Sequence, residues 1–104
     1  MSIVSVYAVF GDAEEAARIG RTMVEERLAA CINILPGVES IYRWDGKIET
    51  AEEVAAIFKT THDRSDALVA RIAALHSYDV PCIVTWPIDK LIGSYADWVE
   101  SSVG

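Results

Sequence analysis

The feature that most constrains the fold is a pair of strand-like runs joined by a short turn. The runs are ACINILPGVESIYRW (residues 30–44) and IETAEEVAAIFKTT (residues 48–61), and Asp45-Gly46 lies between them. An Asp-Gly pair between two such runs is typical of a tight β-hairpin. Pro36-Gly37 interrupts the first arm, and because proline cannot donate to a strand ladder we expect a β-bulge there. The sequence therefore predicts a long hairpin; the alternative is that the arms end at Pro36.

The predicted hairpin is longer than the domain that would carry it. The fourteen residues from Cys31 to Trp44 extend over roughly 46 Å at ~3.3 Å per residue. A compact chain of 104 residues has a diameter of roughly 33 Å. An isolated two-stranded ribbon is marginally stable in water, and its exposed edges invite pairing. We therefore expect an obligate homo-oligomer in which another subunit covers the ribbon.

The segment before the hairpin predicts a strand followed by a helix. Ile3–Phe10 is a nearly continuous apolar run rich in β-branched residues, as expected of a buried central strand. Asp12 follows as a helix N-cap, with Glu15 three residues later in the position of a capping-box partner.

The segment after the hairpin predicts a helix, a strand and a final helix. A helix is expected over about residues 63–76, and VPCIVTW (80–86) is expected to form a strand that Pro87 stops. Ser94, with Asp97 three residues later, predicts the cap of a short terminal helix.

The order of elements is therefore β-α-β-β-α-β with an added C-terminal helix. This order predicts an α+β, ferredoxin-like sandwich that occupies residues 1–104 as one domain. Right-handed crossovers place the first and third strands in the centre of the sheet and the second and fourth strands at its edges.

Composition excludes several classes of partner. The formal net charge is −7 and 52% of the residues are hydrophobic, a balance that disfavours nucleic acid and anionic membrane surfaces. No apolar run approaches the ~20 residues of a membrane span. The short apolar run at Ile3–Phe10 is not preceded by the basic residues that begin a targeting segment. Two cysteines are too few for a small secreted domain that is held together by disulfides, so we expect a cytoplasmic protein.

Three stretches resemble the CutA-type divalent-cation tolerance family. They are ERLAACINILPGVESIYRWDGKIETAEEVAAIFKT (26–60), RIAALHSYDVPCIVTWPI (71–88) and YADWV (95–99). The resemblance runs over essentially the whole chain. It implies a ferredoxin-like subunit, a tight homotrimer and a role, mostly cytosolic, in tolerance of copper and other divalent cations. Our hypothesis is that the chain is not an enzyme; the alternative is an enzyme that uses Lys59, Glu53 or Cys82.

One position departs from the family pattern. The family usually reads Tyr-Asp/Glu-x-Pro-Glu where this chain has Tyr78-Asp79-Val80-Pro81-Cys82. A thiol thus replaces a carboxylate, which favours softer metal ions.

The candidate metal ligands are Cys31, His76, Asp79 and Cys82. Their spacing is not that of a zinc finger or ribbon. Cys31 and Cys82 are predicted to begin opposite edge strands, roughly 14 Å apart at ~4.8 Å per strand, too far for a disulfide or a shared ion. The hypothesis is therefore a site between subunits that takes copper or another divalent cation. The alternative is that both cysteines are buried small hydrophobes and that His76 only ends a helix.

A second candidate site would lie in a cleft between subunits and bind a small organic ligand. Its predicted lining is Tyr42, Trp44, Glu53, Lys59, Tyr78 and Trp86. The alternatives are that the aromatic residues serve in packing and that Lys59 forms a salt bridge. This site would make the chain a small-molecule-sensing, signalling trimer, although no organic cofactor is predicted. Nucleophilic catalysis has little support because Cys82 lacks a clearly placed base.

Overall fold

The computed structural model describes residues 2–104. Four strands and three helices follow one another in the predicted order. They are β1 (Ile3–Phe10), α1 (Ala13–Glu25), β2 (Cys31–Trp44), β3 (Lys47–Thr61), α2 (His62–Leu75), β4 (Ile83–Pro87) and α3 (Gly93–Val103).

The four strands form one antiparallel sheet in the order β2-β3-β1-β4. The predicted placement of the first and third strands in the centre is therefore confirmed. β1 pairs with β3 from Ile3 opposite Thr61 to Phe10 opposite Val54. The α+β, ferredoxin-like arrangement that the sequence predicts is the one observed.

The long hairpin is also confirmed. Asp45 and Gly46 have φ angles of 51° and 77°, as a type I′ turn requires. The strand register shifts between Leu35 and Val38, and Gly37 within that bulge has a φ of 82°. β2 continues past the bulge to Trp44, so the alternative in which the arms end at Pro36 is wrong.

The outer part of the hairpin has no third strand beside it. Pairing with β1 stops at Val54, while β2 and β3 remain paired from Val38–Glu53 to Trp44–Lys47. We call this outer part, residues 38–53, the ribbon. The protomer is 45 Å long but only 26 Å and 22 Å across, because the ribbon extends beyond the globular part. That another subunit covers the ribbon stays a prediction.

Helices α1 and α2 cover one face of the sheet. The core between them and the sheet is apolar, and its largest fully buried side chains include Phe10, Ile19, Met23, Phe58, Leu68 and Ile72. On the opposite face, which we call the open face, α3 buries only one end through Val99 and Val103 against Ile3 and Ala30. The rest of the open face carries alternate strand residues, among them the stacked pair Tyr7–Trp86 with ring centroids 5.0 Å apart.

Two predicted boundaries are wrong. β4 begins at Ile83 rather than Val80, and it includes Pro87, which pairs with Val4. β4 is an edge strand, and an edge position tolerates a proline because an outward-facing N–H has no partner to lose. The predicted cap by Ser94 and Asp97 is absent, since α3 begins at Gly93 with no side-chain bond at its N-cap. Packing of its apolar face, rather than a cap, sets where this helix forms.

None of the helices within residues 2–104 is long and apolar enough to cross a membrane.

Candidate functional site

His76 anchors the segment that connects α2 to β4. This segment, residues 76–82, is called the connecting loop below. The backbone N–H of Tyr78 donates to His76 Nδ1 at 3.0 Å, so the ring proton is on Nε2, which donates to the carbonyl oxygen of Val9 at 2.7 Å. The imidazole is buried and stacks on Phe10 with centroids 4.8 Å apart. Both ring nitrogens are therefore engaged within the protomer.

Glu15 holds the next residue of the connecting loop. Its buried carboxylate accepts hydrogen bonds from the Ser77 N–H at 2.8 Å and the Ser77 hydroxyl at 3.0 Å, and it lies 3.9 Å from His76 Nδ1. Asp12 caps α1 as predicted, accepting from the Glu15 N–H at 2.8 Å. The Glu15 side chain, however, accepts hydrogen bonds from Ser77 and does not complete a capping box. Sequence reasoning missed this role, although a carboxylate in line with Ile19 on the apolar stripe of a helix is a signal that a buried partner exists.

Tyr78 ties the connecting loop to the ribbon. Its phenol donates to Glu53 Oε2 at 2.7 Å. Burial, and then the hydrogen bond and negative charge of Glu53, raise the pKa of Tyr78 to about 12, so the phenol keeps its proton at neutral pH. Gly11 allows this placement, because a Cβ atom there would lie 3.2 Å from the phenol oxygen.

Two adjoining cavities separate the connecting loop from the ribbon, and together we call them the ribbon cleft. The first, of about 250 Å³, is lined by Tyr42, Trp44, Tyr78, Asp79 and Val80. The second, of about 330 Å³, shares three of those residues and lies on the open face; it is lined by Tyr7, Val9, Ser40, Tyr42, Glu53, Tyr78, Val80 and Cys82. The structure thus brings together Tyr42, Trp44, Glu53, Tyr78, Asp79 and Cys82 of the predicted site residues.

Cys31, Lys59 and Trp86, three further predicted residues, lie at the other end of the sheet, while His76 lies beside Val9 at the start of the connecting loop. Cys31 pairs with Lys59, Lys59 with Ser5, and Ser5 with Trp86, so the four form one row across the strands. Cys31 Sγ is 3.4 Å from the phenol oxygen of Tyr95, and burial, followed by this contact, raises the pKa of Tyr95 to about 12. The predicted organic-ligand lining is therefore divided between two regions of one protomer.

The two cysteines are far apart and differ in exposure. Cys31 is in the row of Ser5, whereas the carbonyl of Cys82 accepts from the N–H of Val9. Four residues along β1 and three strand spacings separate them by roughly 20 Å, which agrees with the expected absence of a disulfide; both are free thiols. The expectation that both are buried is wrong, since Cys82 is exposed at the start of an edge strand and Cys31 is half-buried.

Metal ligands are dispersed within the protomer. Across residues 2–104, no three side chains of histidine, cysteine, aspartate or glutamate are grouped closely enough to hold an ion. Asp79 and Cys82 border the same cleft, while His76 is committed to Val9 and Tyr78. A metal site that uses these residues stays a prediction, and it requires ligands from a second protomer.

Comparison with known proteins decides the family. The family model described as CutA1 divalent ion tolerance protein matches residues 4–102. The chain belongs to this family. The resemblance predicted from the sequence is thereby confirmed.

Members of the CutA family with similar sequences come from distant organisms. The divalent-cation tolerance protein CutA of Thermus thermophilus is 47% identical over 92 residues, which cover 88% of this chain and 89% of that protein. The chloroplastic protein CutA 1 of rice is 39% identical over 97 residues, 93% of this chain but 55% of the rice protein.

Solved CutA structures share the fold over nearly the full chain. The CutA of Xylella fastidiosa superposes with a TM-score of 0.97 at 34% identity and covers all of both chains. A structure described as the periplasmic divalent cation tolerance protein CutA of Archaeoglobus fulgidus gives a TM-score of 0.95 at 37% identity, covering 98% of this chain and 99% of that one.

Proposed function

We propose that this CutA-family chain is a cytoplasmic, non-enzymatic, homotrimeric protein of divalent-cation tolerance that binds its cation between subunits. The observation that carries the proposal is the placement of an exposed thiol, Cys82, and an acidic residue, Asp79, beside the ribbon cleft. The thiolate favours copper or another softer metal ion, and the carboxylate adds a negatively charged oxygen ligand. A second protomer would complete the ligand set.

The exposed apolar surface supports the homotrimer. Ile41 and Ile48 on the ribbon are 69% and 61% exposed, and Trp44, Trp86 and Val84 are also exposed on the ribbon or the open face. Ile41 and Ile48 lie on the opposite face of the ribbon from Trp44, so both of its faces expose apolar side chains. Exposed apolar surface of this kind marks protein–protein interfaces, and a lone ribbon gains stability when another chain covers it. Three copies is the stoichiometry that the family resemblance implies.

Edge-to-edge pairing is the proposed route to a shared metal site. β2 and β4 are the two edges of the sheet, with Cys31 at one and Cys82 beside the other. Because Cys31 lies in the row of Ser5 and Cys82 lies beside Val9, the proposal requires that unlike edges pair in a closed ring with an offset along the strands, which brings Cys31 of one copy towards Cys82 of the next.

The non-enzymatic part of the proposal is supported by the surroundings of Cys82. An adjacent base is one common way to activate a catalytic thiol, and among residues 2–104 no hydrogen bond joins the exposed Cys82 thiol to a base.

Cadmium titration tests the metal site, because a thiolate bound to Cd²⁺ gives an ultraviolet charge-transfer band. Tag-free protein is expected to bind stoichiometrically, Cys82→Ser to lose the band and Asp79→Asn to bind more weakly. Asp89→Asn is the matched control, since Asp89 is an exposed aspartate beyond the far end of β4. Stoichiometric binding that survives in a Cys31→Ser/Cys82→Ser double variant would rule out this ligand set.

Sedimentation tests the assembly separately. The protein is expected to sediment at three times the protomer mass at micromolar concentration. Ile41→Asp on the ribbon is expected to dissociate it, whereas Ile92→Asp, at an equally exposed isoleucine before α3, is the control. A well-folded single protomer at micromolar concentration would overturn the proposal.

A second candidate function is the sensing of a small organic ligand, and the ribbon cleft favours it. The cleft gathers aromatic rings and carboxylates around one concave space, as ligand sites do. A thermal-shift screen of small metabolites tests it. Ligands that stabilise the parent protein are expected to lose their effect in Tyr78→Asp, which removes one of the two rings, Tyr42 and Tyr78, that line both cavities. An undiminished shift in that variant would place the binding elsewhere.

A further inference from the structure

We infer that Glu15 is a positioning residue for the proposed cation site: its buried carboxylate holds the connecting loop, so that Asp79 and Cys82 are presented in one fixed arrangement. This inference rests on the proposed metal site and deepens it, since it says what keeps the two ligands of one protomer in place. Asp79 and Cys82 lie three positions apart in the connecting loop, which has no helix or strand of its own. Hydrogen bonds to the body of the protomer must therefore fix the path of the loop.

A single residue of β1 fixes both ends of the connecting loop. The carbonyl oxygen of Val9 accepts from His76 Nε2 at 2.7 Å, at the first residue of the loop. The backbone N–H of the same Val9 donates to the carbonyl oxygen of Cys82 at 3.2 Å, at the last residue of the loop. Because β1 is a central strand of the sheet, both ends of the loop are attached to one point of the most firmly paired part of the protomer.

Glu15 fixes the first half of the loop from helix α1. One carboxylate oxygen accepts from the Ser77 N–H at 2.8 Å and the other accepts from the Ser77 hydroxyl at 3.0 Å. The Glu15 residue is only 6% exposed, and His76 Nδ1, which lies 3.9 Å away, accepts from Tyr78 and therefore carries no proton. Burying a carboxylate without a full positive partner is costly, and an apolar side chain would pack at this position without that cost. The contacts therefore indicate a role in holding the loop rather than in packing the helix.

The stretch between the fixed points has little conformational freedom. Tyr78 and Cys82 are both held by hydrogen bonds, and three residues separate them. The ring of Pro81 fixes its own φ at about −65° and restricts Val80 to an extended conformation. Asp79 is thus held within a narrow range of positions relative to Cys82.

These contacts all lie within one protomer, so they remain in place when sister subunits cover the ribbon and the open face. Each protomer then brings a preorganised pair of ligands to the interface, and a second protomer completes the ligand set. Preorganised groups lose less conformational freedom on binding. Residues that orient metal ligands typically change metal affinity by roughly 10- to 100-fold when they are substituted.

Cadmium binding by the full-length, tag-free protein tests the inference, with the dissociation constant read from the thiolate charge-transfer band. Glu15→Ala is expected to weaken Cd²⁺ binding by roughly 10- to 100-fold. The band at saturation is expected to keep its position and intensity, because Glu15 is not a ligand and Cys82 still binds the ion. Glu15→Gln retains a side-chain oxygen that can accept from Ser77, so it is expected to recover part of the affinity.

Two control variants separate positioning from charge and from general loss of stability. Glu14→Ala removes the neighbouring carboxylate, which is exposed on the same turn of α1, and it tests whether negative charge alone accounts for the affinity. Thr60→Val removes a 2.7 Å hydrogen bond from another buried side chain, to the carbonyl oxygen of Leu28. Thr60 pairs with Val4, at the opposite end of β1 from Val9. Both variants are expected to bind Cd²⁺ with the affinity of the parent protein.

Hydrogen exchange in EDTA gives a readout that needs no metal. The amides of Asp79 and Cys82 are expected to exchange faster in Glu15→Ala than in the parent protein and at the parent rate in Glu14→Ala. Ser77→Ala, which leaves the carboxylate in place, is the second variant should Glu15→Ala fail to fold. It is expected to accelerate exchange and weaken Cd²⁺ binding in the same direction, and Ser77→Thr, which keeps a hydroxyl, is expected to restore both.

The outcomes separate this inference from the metal site on which it rests. Parent-like Cd²⁺ affinity in Glu15→Ala and Ser77→Ala, or parent-like exchange of the loop amides in both, would overturn the positioning role and leave the metal site in place. Equal weakening in Glu14→Ala or Thr60→Val would also overturn it, because charge or stability would then account for the effect. A parent protein that binds no Cd²⁺ would overturn the metal site itself, and the role of Glu15 towards that site with it.

Discussion

Tyr78 and Glu53, which are 25 residues apart in the chain, are joined by a 2.7 Å hydrogen bond from the phenol to the carboxylate. This bond links the connecting loop to the ribbon and closes one side of the cleft between them.

Tyr78→Phe removes the phenol and keeps the ring. Because the bond is exposed to solvent, we expect a loss of at most about 1 kcal/mol in the free energy of unfolding. The larger effect is expected in the connecting loop, where hydrogen exchange of the amides of Tyr78 to Val80 should accelerate. Tyr95→Phe, which removes the phenol beside Cys31, is the control and should leave exchange in that loop unchanged. Equal protection in the parent and Tyr78→Phe would show that the bond does not restrain the loop.

Alkaline pH should weaken the fold over a defined window. The pKa of Tyr78 and that of Tyr95 are each raised from 10.0 to about 12, so the folded state holds both protons more tightly than the unfolded state does. The stability from these two groups is thus fully present below pH 10 and is lost as the pH rises from 10 towards 12. Phenolate absorbance should show two late-titrating tyrosines, and denaturation midpoints should fall across that window.

The double variant Tyr78→Phe/Tyr95→Phe tests the assignment. Its stability should fall less steeply between pH 10 and pH 12 than that of the parent protein. An unchanged slope would show that Tyr78 and Tyr95 do not account for the loss of stability in this window.

His76 and His62, the two histidines of the chain, should respond differently to removal. His76→Ala breaks the bonds to Val9 and Tyr78 and removes the stack on Phe10, so we expect a loss of about 2–4 kcal/mol in the free energy of unfolding. His62→Ala changes an exposed residue at the start of α2 and should cost less than about 0.5 kcal/mol. Chemical denaturation at one fixed protein concentration is the measurement, since assembly makes stability concentration-dependent. Similar losses in the two variants would contradict the structural role of His76.

Two glycines in helices should have opposite responses to alanine. A Cβ atom on Gly20 would overlap two side-chain carbons of Ile32, so Gly20→Ala is expected to destabilise by about 1–3 kcal/mol, despite the better helix propensity of alanine. Gly93, the first residue of α3, has open space around it, and Gly93→Ala should be neutral or stabilise by up to about 1 kcal/mol. Thermal denaturation of both variants checks this, and a stable Gly20→Ala protein would mean that α1 and β2 separate at little cost.

The sequence by itself determined the strands, the turns and their order. Asp45-Gly46 and Pro36-Gly37 specify the hairpin and its bulge because the backbone angles they favour depend on the residues themselves. Asp12 caps α1 for the same reason, since its partner is only three residues away. Given that order, the right-handed crossover rule was sufficient to arrange the sheet.

Only the tertiary structure decided the partners and the exposure of the site residues. The hydrogen bond between His76 and Val9 joins residues 67 positions apart, and the bond between Glu15 and Ser77 joins residues 62 positions apart. No local sequence pattern predicts such long-range contacts. The exposure of Cys82 depends on β4 being an edge strand. The physical reason is that turn and cap preferences act within a few residues, whereas burial and side-chain hydrogen bonds depend on which distant segments the packed sheet and helices bring together.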